Sequence, residues 1–175
     1  MSELKEINVN LGPWLWYIDG YINVDIDPSV KADLHCDALN LPFEENSVNS
    51  VICGHLLEHV HPKDTDRALA HWAKILKPGG TITITVPDFE KAYHQWKKGE
   101  LPFGTLHGVI FGEALGREAN KHLNIFNEDL LREAMSKHFV DLETLGYFKY
   151  WAGTVPWQTC IQAKKAPLPI PEGGV

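Results

Sequence analysis

The sequence predicts one α/β domain: a mostly parallel sheet with helices on both faces and a first crossover helix that is short or absent. Three observations lead there. Between residues 6 and 87, short runs rich in Ile and Val, bounded by Gly and Pro, alternate with a segment of helical period. One of those runs, "SVICGH" at 50–55, is almost continuously apolar, as expected when both faces of a sheet are covered. After Gly12 only eight residues, Pro13 to Gly20, connect the first run to the second, whereas a helical crossover needs about a dozen.

Each element follows from local pattern. "EINVNL" (6–11) and "YINVDI" (21–26) read as buried strands, and "ADLHCD" (32–37) as a weaker one before the turn-forming "LNLPFEENSVN". After the strand at 50–55, "DTDRALAHWAKILKPGG" places Leu69, Trp72, Ala73 and Leu76 on one stripe of a helix. Asp64 or Asp66 is its expected cap, and Lys77-Pro78-Gly79-Gly80 its stop and turn into "TITITVP" (81–87). Asp88 is the expected N-cap of "FEKAYHQWKK" and Asn127 that of "EDLLREAMSKHF", with Leu130, Leu131, Ala134 and Met135 as its buried stripe. "LGYFKYWAG" and "WQTCIQAKK" are expected to close the sheet as a pair of strands.

The chain of 175 residues, 44% hydrophobic, has the size of a single core, placed at 1–165, with a variable cap at about 100–128. The last ten residues, 166–175, hold three prolines and two glycines and read as a flexible tail. A net charge of -7 supplies no basic footprint for a polyanion, which argues against a nucleic-acid partner. Cys36, Cys53 and Cys160 are far apart and sit in apolar runs, so they read as reduced intracellular thiols. No signal-peptide pattern opens the chain and no run of 18 apolar residues occurs, so a cytoplasmic protein with no membrane segment is expected.

The stretch "GHLLEHVHP" contains His55, Glu58 and His59 in the pattern H-x-x-E-H, which in other proteins holds zinc. Ligands four residues apart need a helix beneath them, yet His55 ends a strand and Pro62 follows His59 by three. Nothing in the sequence nominates a third ligand. The expectation is therefore no metal site, with a zinc hydrolase through His55, Glu58 and His59 as a distant alternative.

Read together, "YINVDID", "ADLHCDALNLPFEENSVNSVICGHLLEHV" and "AHWAKILKPGGTITITVPD" resemble the class I S-adenosylmethionine-dependent methyltransferases of the small, minimal type. The resemblance covers about residues 7 to 90 and implies a Rossmann-like fold, S-adenosylmethionine as cofactor, and methyl transfer to a small-molecule, sugar or peptide acceptor. It implies that Asp25 bonds the ribose hydroxyls, with Ile26 beside it. Asp37 would meet the adenine amino group next to Ala38 and Leu39, and Gly12 and His55 would pass the methionine portion. The family's first loop carries G-x-G, whereas this chain has Gly12-Pro13-Trp14. That departure motivates a second reading, a catalytically degenerate binding or regulatory module. Trp14, Trp16 and Tyr17 are expected to form an apolar plug in place of the missing helix, or else to line the cofactor pocket. Candidates for catalysis or acceptor contact are His59, Asp88 and His122, with Tyr93 and His107 behind them; a histidine near neutrality can accept an acceptor's proton.

Overall fold

The structure, a computed structural model, describes residues 6–14, 16–112, 120–146 and 156–167. Strands β1 (Asn8–Leu11), β2 (Ile22–Asp25), β3 (Leu34–His35), β4 (Val48–Gly54), β5 (Leu76–Pro87), β6 (Val140–Leu145) and β7 (Gln158–Lys164) form one seven-stranded sheet in the order β3-β2-β1-β4-β5-β7-β6. The first five pair in parallel; β7 runs antiparallel to both β5 and β6. Helices α1 (Pro62–Ile75), α2 (Phe89–Lys97), α3 (Phe103–Phe111) and α4 (Glu128–Ser136) complete the described elements, with no helix between β1 and β2. No helix among the described residues is long and apolar enough to cross a membrane.

Alternation along the strands builds the core. Val9 and Leu11, Val51 and Cys53, and Ile82, Ile84 and Val86 share the face that packs with Leu69, Trp72, Leu131 and Met135 of α1 and α4. The intervening positions point the other way. There Ile52 meets Ile18 and Cys160 in a second, smaller cluster, while Asn10 and Asn23 are buried polar neighbours across β1 and β2.

Several boundaries differ from expectation. Helix α1 begins at Pro62, not after Asp64 or Asp66, because His61 caps it: its Nδ1 accepts the Lys63 N–H at 3.2 Å, and proline at the first helical position gives up no needed donor. Leu130 is 45% exposed; Leu131 and Met135, one turn apart, carry the buried stripe of α4. The strand that pairs with β7 is β6, Val140–Leu145; of the strand expected at 145–153, residues 147–153 lie outside the described ones. Gly80 is a close approach: a Cβ there would lie 2.8 Å from the Lys77 carbonyl oxygen.

Candidate active site

The chain runs outward from β1 toward β2 and β3, and from β4 toward β5, so the strand order reverses between β1 and β4. In open α/β sheets, ligands bind at the carboxyl ends beside such a reversal. Here that point is Gly12 after β1 and His55 after β4. Both have left-handed backbone, φ 67° and 50°, and Trp14 joins them at φ 25°. For tryptophan and histidine this conformation costs on the order of 1 kcal/mol or more each, a strain that clusters at functional sites.

Two cavities open from this joint. The first, about 350 Å³, is lined by Gly12, Asp25, Ile26, Asp37, Ala38, Leu39 and His55, so all seven residues expected at the cofactor share one hollow. Its acidic pair is held by local turns. Asp25 Oδ1 accepts the Asp27 N–H at 2.9 Å, leaving the second oxygen turned to no other described group. Asp37 caps the 3-10 turn Ala38–Asn40 through the Leu39 N–H at 2.9 Å. That turn is pinned from α1, where Trp72 Nε1 donates to the Ala38 carbonyl and His71 Nε2 accepts the Leu41 N–H, each at 2.9 Å.

The second cavity, about 430 Å³, shares Gly12, Trp14, His55, His59 and Asn120 with the first. Trp16, Glu58, Thr105, His122 and Trp157 add the rest of its functional wall. His122 arrives from the far side of the chain. The Leu123 and Asn124 N–H groups both donate to the Glu58 carbonyl, at 2.9 and 3.0 Å, which seats the segment against the 3-10 turn Leu57–His59. The rings of His59 and His122 stand 5.0 Å apart, edge to face. Burial pushes the His122 pKa below the usual histidine value, although Glu58 pulls the other way.

Glu58 is 1% exposed, and neither carboxylate oxygen accepts a hydrogen bond. His55 Nδ1 stands 3.2 Å from Oε1, a charge contact without hydrogen-bond geometry. Burial would raise the Glu58 pKa, but His55 and His59 outweigh it and the net direction is down, so the group is an anion.

The other candidates sit elsewhere. Asp88 is 1% exposed and caps α2, accepting the Glu90 and Lys91 N–H groups and the Thr159 hydroxyl at 2.6 Å; it lines neither cavity. Tyr93 and His107 are exposed on α2 and α3, outside both linings. The expected aromatic plug is corrected. Trp14 is 45% exposed at the rim of both cavities and Trp16 lines the second, while the Tyr17 hydroxyl donates to Asp33 at 2.7 Å. Ile18 and Tyr21 do the packing instead. Trp157, Thr105 and Asn120 are lining residues that the sequence did not nominate: Thr105 and Asn120 lie on a glycine-rich segment with no period to read, and Trp157 precedes β7 with nothing local to mark it as a site residue.

Residues 19–84 match the model of the family described as "Methyltransferase domain". The chain is 40% identical over 80 residues to the demethylmenaquinone methyltransferase of Staphylococcus haemolyticus, covering 42% of this chain and 33% of that protein. It is 28% identical over 130 residues to the ubiquinone/menaquinone biosynthesis C-methyltransferase UbiE of Francisella tularensis, covering 71% and 44%. The alignments thus span less than half the length of these curated relatives. Among solved structures, a SAM-dependent methyltransferase from Archaeoglobus fulgidus superposes with a TM-score of 0.65 at 16% identity, covering 91% of this chain and 86% of that one. The sheet order and the two cavities at its reversal therefore belong to a class I methyltransferase fold. Residues 19–84 thus match a methyltransferase-domain family, and the fold is that of S-adenosylmethionine-dependent methyltransferases, as the motifs implied.

Proposed function

We propose that the protein binds S-adenosylmethionine in the first cavity and methylates a small hydroxylated acceptor held in the second. One observation carries the reading: the residues that the family motifs assign to the cofactor line a single hollow, and that hollow shares a wall with a second one. The donor set fits the group. Asp25 offers one unengaged carboxylate oxygen to the ribose hydroxyls, and Ala38, Leu39 and Ile26 offer apolar surface to a flat ring beside Asp37. When bound, S-adenosylmethionine supplies a methyl group already activated on a sulfonium.

The chain's own task is placement, since holding reactants in line supplies much of such a rate. Gly12, Trp14, His55 and His59 form the shared wall and set the approach between the two hollows. Trp16 and Trp157 present aromatic faces to the acceptor, suited to the apolar face of a hydroxylated ring such as a sugar or hydroquinone. The curated relatives are named for demethylmenaquinone methylation and for ubiquinone/menaquinone biosynthesis. His59 and His122 stand on the acceptor side; each has Nδ1 on a backbone carbonyl, Lys121 and Val109, at 3.0 Å, which directs Nε2 into the cavity as a polar group for the acceptor's hydroxyl.

Calorimetric titration with S-adenosylhomocysteine tests the cofactor half, and tritiated methyl incorporation into a panel of sugars, phenols and hydroquinones tests the rest. Micromolar binding with label in a hydroxylated ring is the expected result. No binding at millimolar nucleoside would leave only the degenerate module suggested by Gly12-Pro13-Trp14.

A further inference from the structure

Three acceptors converge in the second cavity with no donor among them. Glu58, His59 and His122 each present a ligand atom, and these lie within 4.8 Å of one another. Both imidazoles spend their Nδ1–H on a main-chain carbonyl, so each is left with an Nε2 lone pair. The carboxylate is almost wholly buried and accepts no hydrogen bond. Burying a carboxylate that accepts no hydrogen bond costs several kcal/mol, and its contact with His55 Nδ1 at 3.2 Å offsets only part of this. Two fixed lone pairs and a buried carboxylate whose ligand atoms lie within 4.8 Å of one another make a ligand set for a cation.

We infer that Glu58, His59 and His122 form a three-ligand site for a divalent transition metal of the zinc class, with its open position toward the second cavity. The donor set decides the class: two imidazole nitrogens and one carboxylate suit zinc, whereas magnesium and calcium take oxygen ligands. The supporting contacts are those that metal-bound histidines keep, a carbonyl accepting the other ring N–H and fixing the tautomer. The geometry needs only a modest contraction. Bonds of about 2.05 Å at a tetrahedral centre place ligand atoms about 3.3 Å apart, so side-chain shifts of about 1 Å close the site. The sequence pattern pointed to the wrong partner: His55 stands behind Glu58 as its charge contact, and His122, 63 positions after His59, takes the place of third ligand.

Such an ion gives the second cavity a task that rests on the methyl-transfer reading. An acceptor hydroxyl entering the open position would bind through its oxygen and release its proton to water, because a zinc-bound hydroxyl is far more acidic than a free one. The acceptor is then held as an oxyanion on the wall shared with the first cavity.

The test uses the full chain, stripped with chelator and titrated calorimetrically with zinc alone. One ion per chain is expected, with affinity falling at least about 100-fold in His122→Ala. The exposed His107→Ala should titrate like wild type. Cobalt reconstitution checks the same point without reliance on activity, since a four-coordinate site gives visible d–d absorption that His122→Ala must lose. Weak zinc binding equal in wild type and His122→Ala, with no such absorption, overturns the inference and leaves the cluster sharing a proton. Zinc binding without S-adenosylhomocysteine binding would instead sink the functional reading and spare the metal site; the opposite pairing would do the reverse.

Discussion

Asp25 allows the cofactor assignment to be tested at one atom. Its Oδ1 already accepts the Asp27 N–H at 2.9 Å, closing the turn after β2, so only the second oxygen remains for a ribose hydroxyl. One hydrogen bond to a charged group contributes about 1.5–3 kcal/mol. Loss of that bond converts to about a 10- to 150-fold weaker dissociation constant. Asp25→Asn keeps the turn acceptor and replaces the second oxygen with an amide that can still donate, so it should fall at the low end, about 10-fold. Asp25→Ala removes turn and ligand contact together and should reach the high end. Calorimetry with S-adenosylhomocysteine reads both, with circular dichroism to confirm that each variant folds. If Asp25 serves only to close the turn, Asp25→Asn binds like wild type; that outcome, with Asp25→Ala within threefold, would refute the assignment.

The thiols should differ in reach: Cys53 and Cys160 are buried and burial pushes both upward, whereas Cys36 is half-buried in the first cavity. Ellman titration of the native protein should therefore label Cys36 alone, slowly because burial and then Asp37 raise its pKa, and S-adenosylhomocysteine should slow it further. Asp33 accepts the Asn23 N–H at 2.8 Å, the Asn23 amide and the Tyr17 hydroxyl, which hold its carboxyl below the usual 3.8. A depressed folded value means that this stabilisation is present above the unfolded value near 4 and is lost as pH falls through the folded one. Urea midpoints of wild type should thus drop more steeply than those of Asp33→Asn below about pH 4, and parallel curves would contradict the contact. Gly112 has φ 82° and a Cβ there would meet the Asn120 carbonyl oxygen at 1.9 Å, whereas Gly20, at φ 83°, has open space. Gly20→Ala should cost about 1–2 kcal/mol from backbone alone, and Gly112→Ala clearly more; equal urea midpoints would show that the 120–124 segment does not depend on that contact.

How far the sequence carried these conclusions depended on whether a residue's environment is made locally. The central strands were legible because β-branched runs between glycines and prolines have few other folds open to them; Asp25 and Asp37 were picked out by the family resemblance, and each also closes its own turn. Strand β6 was missed since it is a short edge strand with little burial, and its alternation, Val140-Asp141-Leu142-Glu143, is brief and follows directly on a helical stretch. The α1 start was misplaced because histidine rarely serves as a cap. His122 was named only as one of several candidates: its position is fixed by two backbone amides on the Glu58 carbonyl, a contact that leaves no mark in side-chain pattern.

The same distinction accounts for Trp14. The connection after β1 is too short for a helix, and two asparagines on the face opposite the main core take over its hydrogen bonding. Asn10 Nδ2 donates to the Trp16 carbonyl at 2.9 Å and to Asn23 Oδ1 at 2.8 Å. Asn23 accepts the Ile18 N–H at 2.9 Å and returns a bond to the Ile18 carbonyl at 3.0 Å. These two residues are direct partners in the β1–β2 ladder, so the strands themselves hold the loop. A glycine at the second loop position is needed where a helix N-terminus must bring its amides close to an anion. With no helix behind the loop that demand lapses, while the turn persists, and Trp14 keeps a positive φ with its indole at the rim. The Gly12 N–H donates to the Val24 carbonyl at 2.9 Å, so it too belongs to the sheet. What calls for glycine at Gly12 is its φ of 67°: a Cβ there would meet Leu56 at 3.4 Å, an ordinary van der Waals contact, so the left-handed turn beside the first cavity, not lack of space, sets the residue.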